Sequence, residues 1–400
     1  MKIGILTFHR SFNYGAFMQC YSLSTRLAKE FPNCEVEVVD YTSQKALAGY
    51  DLSIQRASAE NQFYLRARND SFLSCQKMLP LSSERFVSDD MTDITAYLND
   101  NYDILVVGSD AVWNWEVRGF PNVYFLKDFK GKKLSYAASA HGLIYQNATV
   151  AQKNYLGEAF SQFQYLGVRD VTTENMVKYA NPALKPVHNC DPTMFLDLSN
   201  VPCDLDALQN KMRTMGVDFS KPLIGLMAGE TIGYEIKKKW GKDAQLVALY
   251  APNKYADIYL YNLTPFEWAH VFSFFKLTVT HFFHGTMLSL VNHVPVIPVE
   301  FIKGFSAINI TKINDLMTRL NLSDWRYTID ETSRGLIQKV LGKMNFHFNK
   351  KEWKNVNSQI EDMLQNDYSS LISELVAKEK LSADSFFCKL HELTNTNEPK

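Results

Sequence analysis

The 400-residue chain is most informative first in what it lacks. Its six cysteines, Cys20, Cys34, Cys75, Cys190, Cys203 and Cys388, include no C-x-x-C pair and no Cys/His cluster of zinc spacing. They read as reduced structural thiols, and no metal site is expected. The G-x-G-x-x-G phosphate fingerprint is missing, which leaves a dinucleotide site without support. Nowhere do about 18 apolar residues run together without charge, as a membrane span requires; even VFSFFKLTV is broken by Lys276. The opening MKIGILTFHR is interrupted by His9 and Arg10 too soon for a signal peptide, so the expected location is the cytoplasm. Neither sign of charge dominates: 42 Lys and Arg face 43 Asp and Glu, so no global field favours nucleic acid or an anionic membrane. Low-complexity tracts and short-period repeats are absent as well.

With 46% hydrophobic and 21% charged residues, the chain can bury a core and stay dissolved. Its length exceeds what one core usually organises, which points to about two domains. Short apolar runs alternate with longer amphipathic ones, the pattern of parallel sheets with crossover helices and hence of an α/β fold. Strands are expected at Ile3–Leu6, Val36–Tyr41, Asp103–Val107, Lys133–Ala138 and Leu166–Val168. A second series follows at Leu223–Met227, Leu246–Tyr250, Leu277–Thr280 and Val294–Val299. Residues 44–101 read as helices or an irregular insertion. Weakened periodicity between Asp197 and Lys221 marks the boundary, giving domains 1–200 and 201–330. Residues 331–400 are expected as a helical, charged extension packing on the two domains. Tandem α/β halves suggest a ligand cleft between them.

Candidate chemistry gathers at strand ends. After the first strand, His9, Asn13 and Gly15 either offer a ligand surface or form a helix cap with a tight turn. Gly108-Ser109-Asp110 ends a buried strand, where Asp110 could accept from hydroxyls or close an Asx turn. Arg169, at another strand end, could fork onto a carboxylate or phosphate, or pair with Asp170 or a helix carboxylate. Asp191-Pro192-Thr193 reads as a capping motif first. In the second half, Thr280-His281-Phe282-Phe283-His284-Gly285-Thr286 spans a strand-to-helix junction. A histidine with an ordinary pKa near about 6.5 can move protons at neutral pH, or both rings can line a core with Phe282 and Phe283.

Taken in order, these segments resemble the polysaccharide pyruvyl transferase family. The resemblance rests on Thr7, His9, Asn13, Tyr14, Gly15, Ala16 and Gln19 with Val38-Val39-Asp40-Tyr41, then Val107-Gly108-Ser109-Asp110 with Trp113-Asn114. It continues through Ser135-Tyr136-Ala137-Ala138-Ser139, Val168-Arg169-Asp170, Asp191-Pro192-Thr193 and Phe283-His284-Gly285-Thr286, and closes on Lys312-Ile313-Asn314-Asp315-Leu316 with Leu320 and Leu322. It implies two Rossmann-like domains similar to glycosyltransferases of the B type. It also implies cofactor-independent, metal-independent transfer of pyruvate from phosphoenolpyruvate to two hydroxyls of a sugar, oligosaccharide or lipid-linked acceptor, as a cyclic ketal on a surface polysaccharide. A lipid-linked acceptor would bring the protein to the inner face of the cytoplasmic membrane; the basic stretch Lys343–Lys354 reads as a solvated helix face first and a membrane contact second. No oligomeric state is implied.

By the same resemblance, Arg169, His284 and Asp110 are the catalytic candidates. Arg169, His281, His284, Gly285 and Thr286 would hold the donor, and His9, Asn13, Gly15, Ser109 and Asp110 the acceptor. Two positions depart from the family pattern. Phe282 stands where members carry an arginine two residues before the His-Gly histidine, and Ala111 where glutamine often follows Gly-Ser-Asp. His281 or Lys303 would then replace the missing cation. A nucleotide-sugar glycosyltransferase and a non-catalytic sugar-binding member are the other readings of the same chain.

Overall fold

A computed structural model describes residues 1–302, 305–330 and 350–395. The chain divides into two compact units: Met1–Leu196 with Asn309–Lys312 and Lys378–Lys400, and Asp197–Ile308 with Ile313–Ala377. The expected boundary near residue 200 falls after Leu196, and the residues beyond 330 divide between the units. The helical reading of 331–349 and the basic residues 343–349 lie outside the described residues, as does Lys303.

The first unit holds seven parallel strands: β1 (Lys2–Leu6), β2 (Glu35–Thr42), β3 (Leu81–Val87), β4 (Ile104–Val107), β5 (Lys132–Ala138), β6 (Tyr165–Val168) and β7 (Val187–His188). Their order is β3-β2-β1-β4-β5-β6-β7. Central β4, Ile-Leu-Val-Val, is buried at every position, because crossover helices cover both faces of a parallel sheet. Helix Tyr14–Glu30 returns from β1 to β2, and its cap is Asn13, whose side chain accepts from the Gly15 and Ala16 amides. Trp113 is fully buried against Phe160, with ring centroids 4.7 Å apart, and its indole N–H donates to the Tyr124 carbonyl at 3.2 Å. Helix Asp384–Asn395 also belongs to this unit: Phe386 packs edge-on against Tyr136 and Tyr165 at 4.8 and 5.5 Å.

The second unit repeats the plan with six strands: β8 (Leu223–Met227), β9 (Gln245–Leu249), β10 (Ile258–Leu260), β11 (Leu277–Thr280), β12 (Val296–Ile302) and β13 (Tyr327–Asp330), ordered β10-β9-β8-β11-β12-β13. Helix Lys350–Gln365 contributes Trp353, Val356, Ile360 and Met363 to its core. Among the described residues no helix is long and apolar enough to cross a membrane.

Both sheets reverse their winding once, between β1 and β4 and between β8 and β11. Loops leaving the carboxyl ends of adjacent strands diverge there, which opens the crevice where doubly wound sheets bind ligands. Residues 44–101, expected as helices or irregular chain, form helices Gln44–Gln55, Ala59–Gln76 and Met91–Asn101 with edge strand β3 between them.

Candidate functional site

In the first unit, the crevice is bounded by the segments after β1 and β4, which the Thr7 hydroxyl ties together by donating to the Ser109 carbonyl at 3.0 Å. Gly108 has φ +117°, and a Cβ there would meet the Tyr136 carbonyl oxygen at 2.3 Å. Gly108→Ala is therefore expected to lower stability by about 3 kcal/mol or more, read from the urea unfolding midpoint; an unchanged midpoint would contradict this packing. Asp110 follows at φ +78°, a left-handed conformation that costs a non-glycine residue free energy and is held by its neighbours. Its carbonyl accepts from the Ser139 amide at 2.9 Å and its carboxylate from the Ala111 amide at 2.7 Å. Asp110 thus closes its own turn and remains half-buried at the crevice. Ser109 is 1% exposed, and its hydroxyl has no hydrogen-bond partner among the described residues.

His9 and Asn13 are engaged elsewhere. Fully buried His9 bonds through Nε2 to Asp40 at 2.9 Å, and Arg10 grips the same carboxylate through Nε and Nη2. Burial opposes the charge on Asp40, yet these two partners hold its carboxyl well below the usual range. His9 therefore has no surface for an acceptor, contrary to the expectation, because the Asp40 carboxylate, buried on β2, needs its proton-bearing neighbours. Asn13 and Gly15 are a helix cap and the first-turn amide that it satisfies.

At the ends of β5 and β6 lies a denser polar cluster. Arg169, 1% exposed, donates through Nη1 to Asp191 Oδ2 at 3.1 Å rather than to Asp170. The same Oδ2 accepts from the Gln19 amide at 2.5 Å, while Oδ1 accepts from the Thr193 amide and hydroxyl at 3.0 and 2.5 Å. Asp170 caps helix Val171–Ala180 and accepts from the Ser139 and Thr173 hydroxyls at 2.6 and 2.7 Å. Burial would raise its pKa, but Arg169 and these hydroxyls hold it below the ordinary value. His141 stays neutral: burial first, then Lys312, push its pKa down to about 3. Lys312 is lowered to about 8 by burial and by Arg169, against the pull of Asp110, Asp170 and Asp191. Asp191 enters the sequence reading as a cap, Gln19 and Lys312 only as members of the motifs that carry the resemblance, and His141 is not singled out at all. Gln19 looks like one more polar position of an amphipathic helix, and Asp191 reads as a cap. Lys312 is brought to this cluster from far along the chain by tertiary structure.

In the second unit, β8 and β11 each run directly into a helix, Glu230–Trp240 and Phe283–Val291. Their N-cap residues, Gly229 and Phe282, supply no capping side chain, so two positive helix ends lie side by side at the switch point. His281 Nδ1 donates to the Val299 carbonyl at 2.5 Å, since a carbonyl can only accept. Its Nε2 faces Gly229, 3.6 Å from where a Cβ would stand. His284 is half-buried on the first turn of its helix, edge-on to Phe283 at 5.3 Å. Gly285 and Thr286 serve packing instead: a Cβ on Gly285 would come within 2.5 Å of Thr280 Oγ1, and buried Thr286 donates to the Phe282 carbonyl at 3.2 Å. Phe282 is 38% exposed, and its ring meets Tyr250 at 4.8 Å. The structure thus gathers Ser109, Asp110 and Arg169 at one sheet end and His281 and His284 at the other.

Comparison with solved structures gives the fold. The UDP-GlcNAc 2-epimerase of Methanocaldococcus jannaschii is similar with a TM-score of 0.53 at 11% identity, over 92% of this chain and 94% of that one. The Neisseria meningitidis UDP-GlcNAc 2-epimerase, bound to UDP-GlcNAc, gives 0.53 at 10% identity over 98% and 100%. Two Rossmann-like units, each a parallel sheet with crossover helices, are thus the fold that this chain shares with these epimerases. No curated protein matches its sequence. The sequence model for polysaccharide pyruvyl transferase, by contrast, matches residues 13–301. That span carries both switch-point motifs, and the chain belongs to the polysaccharide pyruvyl transferase family.

Proposed function

We propose that the protein transfers pyruvate from phosphoenolpyruvate to two hydroxyls of a sugar in a surface polysaccharide or its lipid-linked precursor. The family match over residues 13–301 carries this reading. Carbon 3 of the donor takes a proton while one sugar oxygen bonds to carbon 2; the second oxygen then displaces phosphate from carbon 2. The products are a cyclic ketal and inorganic phosphate, and the two hydroxyl protons balance the one gained by carbon 3 and the one leaving with phosphate. Such a reaction needs an acid, a base and fixed positive charge for a trianionic donor. His284, beside two helix N-termini, supplies the proton, and His281 with its acceptor nitrogen toward Gly229 orients the neighbouring oxygen. Asp110 receives sugar hydroxyls, with Ser109 beside it.

The aromatic pair Phe282 and Tyr250 favours a second reading, a nucleotide-sugar transferase in which the rings stack on a base or sugar. Calorimetry with phosphoenolpyruvate and with UDP separates the two. Phosphoenolpyruvate binding, with acceptor-dependent phosphate release and a pyruvate ketal in the product mass, supports the first. UDP binding with no response to phosphoenolpyruvate overturns it.

A further inference from the structure

Arg118 and Phe8 bring together the two segments that leave β4 and β1. The guanidinium carbon of Arg118, the last residue of helix Trp115–Arg118, stands 3.7 Å from the centre of the Phe8 ring, just beyond β1. Phe8 in turn packs edge-on against Tyr124 at 5.2 Å, and Tyr124 against Tyr41, near the end of β2, at 6.0 Å. The stack therefore lies at the carboxyl end of the first sheet, on the same two segments that the Thr7 hydroxyl joins. Stacking on an aromatic face fixes the guanidinium plane and uses none of its N–H donors. Nε is closed off from solvent without a partner, and among the described residues neither a hydrogen bond nor an ion pair engages the guanidinium. The side chain is half-buried, so its terminal nitrogens are the donors left open. Burial, then Asp89, raises the pKa of the Tyr41 hydroxyl while Arg118 opposes them, which places both charges near that ring. Asp89 is nevertheless not paired with Arg118; its Oδ1 accepts from the Lys45 amide at 3.4 Å.

We propose that Arg118, held flat on Phe8 at the rim of the first unit's crevice, binds an oxyanion, the phosphate or carboxylate carried by the acceptor sugar. Naming the acceptor rests on the function proposed above; the oxyanion role does not. An arginine already ordered against a ring has little rotamer freedom left to lose, so its fork meets a phosphate or carboxylate at a smaller entropic cost than a mobile side chain does. The side of the sheet also matters. Arg118 sits on the segments after β1 and β4, whereas Arg169 follows β6 and His281 and His284 follow β11 in the second unit. Its charge thus serves a ligand group distinct from the donor anion. If Arg118 does nothing but cover the aromatic stack, charged and uncharged sugars will respond alike to its removal.

The test is calorimetry of glucose 1-phosphate, glucuronate, methyl glucoside, inorganic phosphate and phosphoenolpyruvate on the full chain, as wild type, Arg118→Met and Arg118→Lys, with thermal melts to check folding. Wild type is expected to bind one of the two charged sugars at least about tenfold more tightly than methyl glucoside; glucose 1-phosphate as the better ligand assigns a phosphate, glucuronate a carboxylate. Arg118→Met should weaken that ligand by about 10- to 100-fold and leave phosphoenolpyruvate unchanged, and Arg118→Lys, which keeps the charge and loses the fork, should weaken it by about 3- to 10-fold. Failure of the pyruvyl reading would show separately, as no response to phosphoenolpyruvate with the effect of Arg118 intact. A charged sugar that binds Arg118→Met as tightly as wild type, an equal loss for methyl glucoside, a loss confined to phosphoenolpyruvate, or a wild type that binds neither charged sugar overturns the proposal. Should Arg118→Met fail to fold, the comparison of wild type with Arg118→Lys decides alone.

Discussion

His284→Ala is expected to slow phosphate release from phosphoenolpyruvate by about 10²- to 10⁴-fold, the usual worth of a positioned proton donor. The fold should survive, because the ring is half-buried on the first turn of its helix and its packing partner is the adjacent Phe283. A urea midpoint within about 0.5 kcal/mol of wild type is the matching control. His284→Gln separates two roles: it keeps a hydrogen bond but carries no titrating proton. If His284 donates the proton to carbon 3, Gln is nearly as slow as Ala and the loss falls on kcat; if it only contacts phosphate, Gln recovers activity and the loss falls on KM. Turnover at the wild-type rate in both variants would remove His284 from the chemistry.

Asp191→Ala should have the largest effect on stability, about 3–5 kcal/mol, because it leaves Arg169 buried without its countercharge. Both side chains of that pair are 1% exposed, and Asp191 also accepts from Gln19 and Thr193, so one substitution orphans several donors. The fixed positive charge of Arg169 would then face Lys312 with less to offset it. Replacing both ends together, Arg169→Met with Asp191→Leu, is expected to cost less than the sum of the two single changes, since no unpaired charge remains. Unfolding midpoints of the four proteins form the cycle, and strict additivity would mean that the pair is not coupled. It follows that activity lost in Arg169→Ala says little about ligand contact until the folded fraction is known.

Much of the architecture is legible from the sequence because central strands advertise themselves. β1, β4 and β8 are short, largely apolar runs buried on both faces, and β11, Leu-Thr-Val-Thr, is buried at every position although two of its residues are threonines. The strands not expected, β3, β7, β10 and β13, are the four sheet edges, where neighbours cover less and Leu-Ser-Ser-Glu-Arg-Phe-Val can serve. The same division holds for the site. Gly-Ser-Asp, Arg169 and the His281/His284 motif are local to a strand end and could be singled out by pattern. His9 looked equally suitable there. Only the packing shows that its nitrogens are occupied, Nε2 by Asp40 and Nδ1 by the Thr7 carbonyl. Lys312 enters the sequence reading only as the first residue of the closing motif, and nothing local says that it belongs with the first unit.

That Phe386 and Phe387 pack into the first unit has a bearing on how the protein is made. The bed formed by Tyr136 and Tyr165 is complete only when the residues from 378 onward arrive. On the ribosome the second unit's sheet, contained within residues 223–330, has left the tunnel well before the first unit can cover those aromatics. The first unit is thus begun before the second and completed after it, and until the helix Asp384–Asn395 emerges its aromatic bed lacks the Phe386 and Phe387 rings that cover it.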